Sequence, residues 1–233
     1  MADSTEAGHT EEMGLGKRMV GVFFSPGATF EAVRSRVGTS DWLVPLILLA
    51  IVVAITAYMV TPIAMEQEQA RMAQTEVNME DMQTIGMIVG TISAPLGIAL
   101  IMFLISAILL ALVRFVLGGE TTYKHVLAIN CLSSLICIPS AIVSVPLMLA
   151  KESVYVQVGF GLLLPDSMAE TFLARLLFNL NFFSIWQYAL VGIGLGIVSG
   201  ISTKKAVIGV FVLLILYSVG AAALQTMFAG LGG

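Results

Sequence analysis

The run from Arg175 to Ala206, RLLFNLNFFSIWQYALVGIGLGIVSGISTKKA, decides the fold class. It is long enough to cross a bilayer, which takes roughly 20 residues at about 1.5 Å each. At roughly 100° of turn per residue, Asn181, Ser184, Tyr188, Gly192, Gly196 and Ser199 fall on one side of a helix. Phe183, Trp186, Leu190, Ile193 and Ile197 fall on another. Lipid does not reward the burial of a leucine, so small and polar residues in a span mark where helices touch. The stretch therefore predicts a packing helix in a membrane bundle, with Gly192, Gly196, Ser199 and Gly200 as its seam.

The rest of the chain agrees. Of 233 residues, 58% are hydrophobic and only 11% charged, and the mean hydropathy is +0.97. That much apolar surface has no place in a water-soluble domain, so the class is all-α and transmembrane. The formal charge of −4 comes mostly from loops and the N-terminal tail and points to no charged partner. No basic patch with interleaved aromatics is present to hold nucleic acid. Cys131 and Cys137 are about 9 Å apart along a helix, too far for a disulfide, and read as buried thiols. Residues 1–10 are polar and acidic rather than a basic start leading into an apolar core, so the first span is expected to act as its own insertion signal.

Five spans are predicted, at about 42–62, 88–116, 126–150, 176–199 and 206–230. They form a membrane domain over residues 41–231, preceded by a disordered acidic tail at 1–14 and an amphipathic interfacial segment at 15–40. In that segment Ser25 and Pro26 signal a helix start, and Phe30, Val33 and Val37 form one stripe. Phe23, Phe24, Pro26, Phe30 and Trp42 are the expected interfacial anchors, and Ser40 or Asp41 caps the first span. The polar run Glu66 to Thr84 predicts a helical excursion into water, and Val154 to Leu164 a segment on the membrane surface. In the third span Pro139 and Pro146 free the carbonyls of Leu135 and Ile142, beside the polar Asn130, Ser133 and Ser134.

Charge sets the expected orientation. With the N-terminus in the cytoplasm, Lys17, Arg18, Arg34, Arg36, Arg114, Lys124, Lys204 and Lys205 lie inside, and only Arg71, Lys151 and Arg175 outside. Five spans then put the C-terminus outside, in a bacterial-type cytoplasmic membrane.

Three landmarks carry a family resemblance. Phe24-Ser25-Pro26 with Phe30 precedes the first span, and Gly118-Gly119 with Tyr123 and Lys124 precedes a span broken by Pro139. Ile185-Trp186 and Gly192 are followed by Gly200, Ser202, Lys204 and Ala206. In order and spacing, over roughly Phe23 to Gly220, they resemble the bacterial and archaeal branch of the Yip family, the Ypt-interacting proteins. The resemblance implies a five-span bundle with a cytoplasmic N-terminus. Eukaryotic members are linked to vesicle transport and bind prenylated GTPases through a longer cytoplasmic domain and an Asp-Leu-Tyr-Gly-Pro motif. Both are missing here, so no GTPase partner is implied.

Chemistry-bearing patterns are scarce. The two histidines, His9 and His125, sit in the tail and at a membrane edge, and no HExxH, CxxC, GxSxG or GxxxxGK[ST] pattern occurs. No catalytic residue, metal ligand or cofactor site is expected. Asn130, Asn181, Ser184 and Tyr188 are the candidate polar contacts; such groups are explained as well by interhelical bonds of about 0.6 kcal/mol each. The favoured expectation is a non-enzymatic scaffold or adaptor that binds the lipid bilayer and another integral membrane protein or itself, in membrane trafficking or organisation. The alternative is a small transporter or channel with a polar site in the third and fourth spans, and a third is a membrane shaper acting through Phe23, Phe24 and Phe30.

Overall fold

A computed structural model describes residues 13–71, 79–154 and 171–231. The expected acidic tail, except for its last two residues, lies outside the described residues, as do the middle of the polar run after the first span and nearly all of the segment from Val154 to Leu164.

Two short helices come first, α1 (Leu15–Phe24) and α2 (Pro26–Ser35). The long helices α3 (Ser40–Arg71) and α4 (Met79–Ala111) follow, the latter ending in a π-helical stretch, Leu112–Leu117. The third span is α5 (Tyr123–Ser133) and α6 (Cys137–Lys151), joined by a 3₁₀ turn at Ser134–Ile136. After α7 (Phe172–Asn179) come α8 (Phe182–Ser199) and α9 (Thr203–Leu231). Among the described residues five helical stretches are long and apolar enough to cross a membrane: Ser40–Gln67, Ile88–Leu117, Tyr123–Lys151, Phe182–Ser199 and Thr203–Ala223.

The prolines explain where the helices bend or divide. Pro45, expected in the first turn of its span, is the sixth residue of α3, which starts at Ser40, so the bond an N–H there would make to the Asp41 carbonyl is missing. Pro139 lies at the start of α6, so the hydrogen-bond ladder it interrupts is the 3₁₀ turn between α5 and α6. The fourth span differs from expectation. The chain breaks at Leu180 and Asn181, and α8 begins at Phe182 rather than near residue 176. Asn181 prefers to cap: its side chain accepts from Ser184 N at 2.9 Å, and Ser184 Oγ accepts from Asn181 N at 3.0 Å.

The spans assemble as two antiparallel pairs, α3 with α4 and α8 with α9, around α5. The hydrophobic window of the third span is 61% buried and that of the first only 17%, which makes α5 the central post and α3 a peripheral helix. Lipid gives no net drive to bury leucine, so close fit holds the centre. Val126, Ile129, Leu132, Leu195 and Val210 interlock there without exposure.

Candidate functional site

The segment expected to be interfacial, residues 15–40, packs against the bundle instead. Pro26 is the first residue of α2, where its missing N–H is harmless, and it turns the chain back so that α1 and α2 form a hairpin. Gly21 permits the close crossing: a Cβ there would sit 2.5 Å from Thr29 Oγ1. Phe30 and Val33 are fully buried, Phe30 against Gly194 of α8. Phe30 is thus a core residue and not an interfacial anchor. Its stripe is covered by α8 and α5. Phe23 packs edge-on against Trp186 at 6.4 Å, which lies about 20 Å back along α8 from Ser199. Phe24, 83% exposed, keeps the outward position expected of it, and Pro26 is half-buried at the tip. Trp42 packs edge-on against Phe103 of α4 at 5.9 Å.

A buried ion pair clasps this hairpin to the first span. Arg18 Nη1 donates to both carboxylate oxygens of Asp41 at 2.9 Å and to the Arg36 carbonyl at 2.9 Å, while Nε donates to the Met13 carbonyl at 2.8 Å. Gly38 N donates to Asp41 Oδ2 at 2.6 Å. Asp41 therefore does not cap α3; it holds Arg18. Sequence reasoning missed this pair because an arginine in a basic segment and an aspartate at a helix start each have an ordinary local explanation.

Of the residues expected in the glycine seam, Gly192 and Gly196 lie against α9. A Cβ on Gly192 would meet Val207 Cα at 2.6 Å, and one on Gly196 would meet Thr203 Cα at 2.7 Å. Both glycines thus bring α8 against α9 of the same chain, backbone to backbone. Gly200 does not belong to the seam: it ends α8 with a positive φ of 68° and has no atom within 4 Å of where a Cβ would be. Ser199 is buried beside it, its hydroxyl without a hydrogen bond. Gly118 makes the matching left-handed turn after the second span, φ 69°, and Gly119 fits under Ser199 and Ile201. Lys205 Nζ donates to the Leu117 carbonyl at 2.9 Å, so the two turns dock at the hairpin end.

The polar residues expected to act together are divided. Asn130, buried, donates to the Met102 carbonyl at 3.3 Å and to Ser106 Oγ at 3.1 Å. Ser134 Oγ donates to the Asn130 carbonyl at 2.8 Å and accepts from Gln187 Nε2 at 2.9 Å. This chain of bonds ties the second, third and fourth spans together. Asn181 and Ser184 form the cap of α8, and Tyr188 is a half-buried side chain packed on the core. No common site joins the four.

With these placements in hand, sequence comparison shows the family. Residues 20–224 match the Yip1 domain. The chain belongs to the Yip1 family. It is 28% identical over 219 residues to the membrane protein YknW of Bacillus subtilis (strain 168), covering 91% of this chain and 90% of that one. No solved structure matches it. In this Yip1 domain the Phe-Ser-Pro tip, the Gly-Gly turn and the Ile-Trp and Gly-Ile-Ser-Thr-Lys run are parts of one assembly. The hairpin packs on Trp186 through Phe23, and the two glycine turns meet at the other end of α8, about 20 Å away.

A cavity opens among the described residues of the bundle. It measures about 430 Å³ and lies between α3 and α6, with Val52, Thr56, Ala57, Thr61 and Ala64 on one wall and Cys137, Ser140, Ala141, Ser144 and Met148 on the other. Asn181 stands at its edge.

Proposed function

We propose that this Yip1 protein acts without catalysing a reaction, as a scaffold or adaptor that holds another integral membrane protein by helix contacts within the bilayer. The observation that carries the reading is the state of the peripheral pair α3 and α4. Leu96, Leu100 and Leu104 point outward from α4, and Gly97 among them has nothing within 4 Å of a Cβ position. An open glycine between exposed leucines lets a second helix approach closely. The internal glycines differ, since α9 already occupies the faces of Gly192 and Gly196. The transport alternative draws less support. Its leading residue, Asn130, is enclosed and bonded to its neighbours rather than facing a passage.

The orientation belongs to the same proposal. Arg114, which donates to the Thr121 carbonyl at 2.8 Å, and Lys205 stand at the hairpin end of the bundle, while Glu152, whose carbonyl accepts from Gln67, stands at the other. Basic residues gathered at one end favour a cytoplasmic N-terminus in a cell membrane.

The test is a photo-cross-linking amino acid placed at Gly97 and, for comparison, at Ile208 on the exposed face of α9, in native membranes. A discrete protein adduct from position 97 alone supports the adaptor reading, and mass spectrometry names the partner or reveals a second copy. Absence of any protein adduct from both faces would overturn it.

A further inference from the structure

We infer that the slot between the first and third spans is a binding site for one hydrocarbon chain of a membrane lipid, with Asn181 and Ser144 placed to donate to the ester group at its head.

Dimensions argue first. From Val52 to Ala64 the slot follows α3 for about 18 Å, close to the roughly 15 Å that one leaflet contributes to the hydrocarbon core. The slot, about 430 Å³, is narrow and long, a shape suited to one extended chain. A void in a membrane bundle forfeits contacts on every wall, and the surrounding medium offers chains of matching shape.

The wall chemistry fits one end of a lipid better than a uniform oil. The inner reach, with Val52, Val53, Ala57 and Ala141, is small-sided and mostly apolar, with the hydroxyls of Thr56 and Ser140 among them. Toward the end away from the α1–α2 hairpin the slot meets Asn181 at the start of α8. Asn181 uses its side-chain oxygen on Ser184 N, and its amide N–H₂ donates to no described residue. A hydroxyl in a span can bond the carbonyl four residues back, as Thr61 does to Ala57 at 2.7 Å and Ser106 to Met102 at 2.7 Å. Ser144 makes no such bond among the described residues and lines the slot. A membrane supplies no water to these donors, and a glycerolipid carries its ester carbonyls at the depth where the chains begin. Ser140 and Thr56, also lining the slot, lie further along the chain.

The experiment uses the full chain in vesicles of phosphatidylethanolamine and phosphatidylglycerol, with a diazirine on an acyl chain of the phosphatidylglycerol and then of the phosphatidylethanolamine. After irradiation, peptides spanning 52–64 and 137–148 should carry more label than the lipid-facing 96–104 peptide, with either headgroup. Ala141→Phe should lower slot labelling about tenfold, as a loss of roughly 1.4 kcal/mol gives, and leave the 96–104 label unchanged. Labelling of the slot no greater than that of the 96–104 face in the wild-type protein would overturn the inference, with no need of the variant. Equal slot labelling in a folded Ala141→Phe protein would also overturn it, and enrichment with one headgroup alone would refute recognition of the chain.

Discussion

Breaking the Arg18–Asp41 pair should release the N-terminal hairpin from the bundle. The side chains are 9% and 5% exposed, and Arg18 joins three segments: the start of α1 through Met13, the end of α2 through Arg36, and the start of α3 through Asp41. Removing one partner of such a pair leaves the other charge buried and unmatched, a loss of about 3–5 kcal/mol. Asp41→Asn keeps the shape and also leaves Gly38 N a neutral acceptor, so about 3 kcal/mol is expected. Replacing both partners with apolar residues, Arg18→Met with Asp41→Leu, removes the unmatched charge and should return to within about 1 kcal/mol of wild type. The chain's two tryptophans report on the event, since Trp42 follows Asp41 and Trp186 touches Phe23. Unfolding in mixed micelles, followed by tryptophan emission, gives the four stabilities of the cycle. Single variants within about 1 kcal/mol of wild type, as an exposed pair behaves, would refute the clasp. So would a double variant equal to the sum of the singles.

Other substitutions separate the roles assigned above. Gly196→Leu should destabilise the bundle by more than about 2 kcal/mol in the same assay, because the obstacle is the Thr203 backbone, whereas Gly97→Ala, with open space around it, should leave stability unchanged. Asn130→Leu should lose about 1–2 kcal/mol, as the second and third spans lose a shared donor. Gly200→Ala should lose about 1 kcal/mol through its positive φ alone and spare the α8 to α9 contact. For orientation, cysteines at Lys204 and Gln67 in a cysteine-free background should react with an impermeant maleimide from opposite sides of the membrane, with Gln67 labelled in intact cells.

The spans were legible because their length and apolarity are properties of each segment alone. The seam at Gly192 and Gly196 was legible for a related reason: spacing places both on one helix face, and a lipid-embedded face of small residues has few uses besides contact. Gly200 shares that spacing yet serves as a turn, since face and terminus are not distinguished until the end of the helix is known. The hairpin was misread at Phe30. An amphipathic helix beside a membrane has two ways to cover its apolar stripe, lipid or protein, and only the contacts with α8 and α5 choose between them. Asn181 and Ser184 have the spacing of a capping box, but the apolar run on both sides of them concealed the break in the fourth span.

The two ends of the bundle are built differently, and this bears on where function lies. At the hairpin end the buried ion pair, the docked glycine turns and the Phe30 contact with Gly194 leave little room for movement. Away from it α3 and α6 part around the slot, and α3 keeps most of its surface outward. Asp41 stands at the start of α3 and the slot lies further along the same helix, so a change at the clasp can reach the slot through α3. Lipid labelling of the slot in Asp41→Asn therefore decides whether the two ends act together. A rise or fall in labelling of peptide 52–64, with the 96–104 face constant, makes the clasp a control on the slot. Unchanged labelling makes it a fastening of the fold alone.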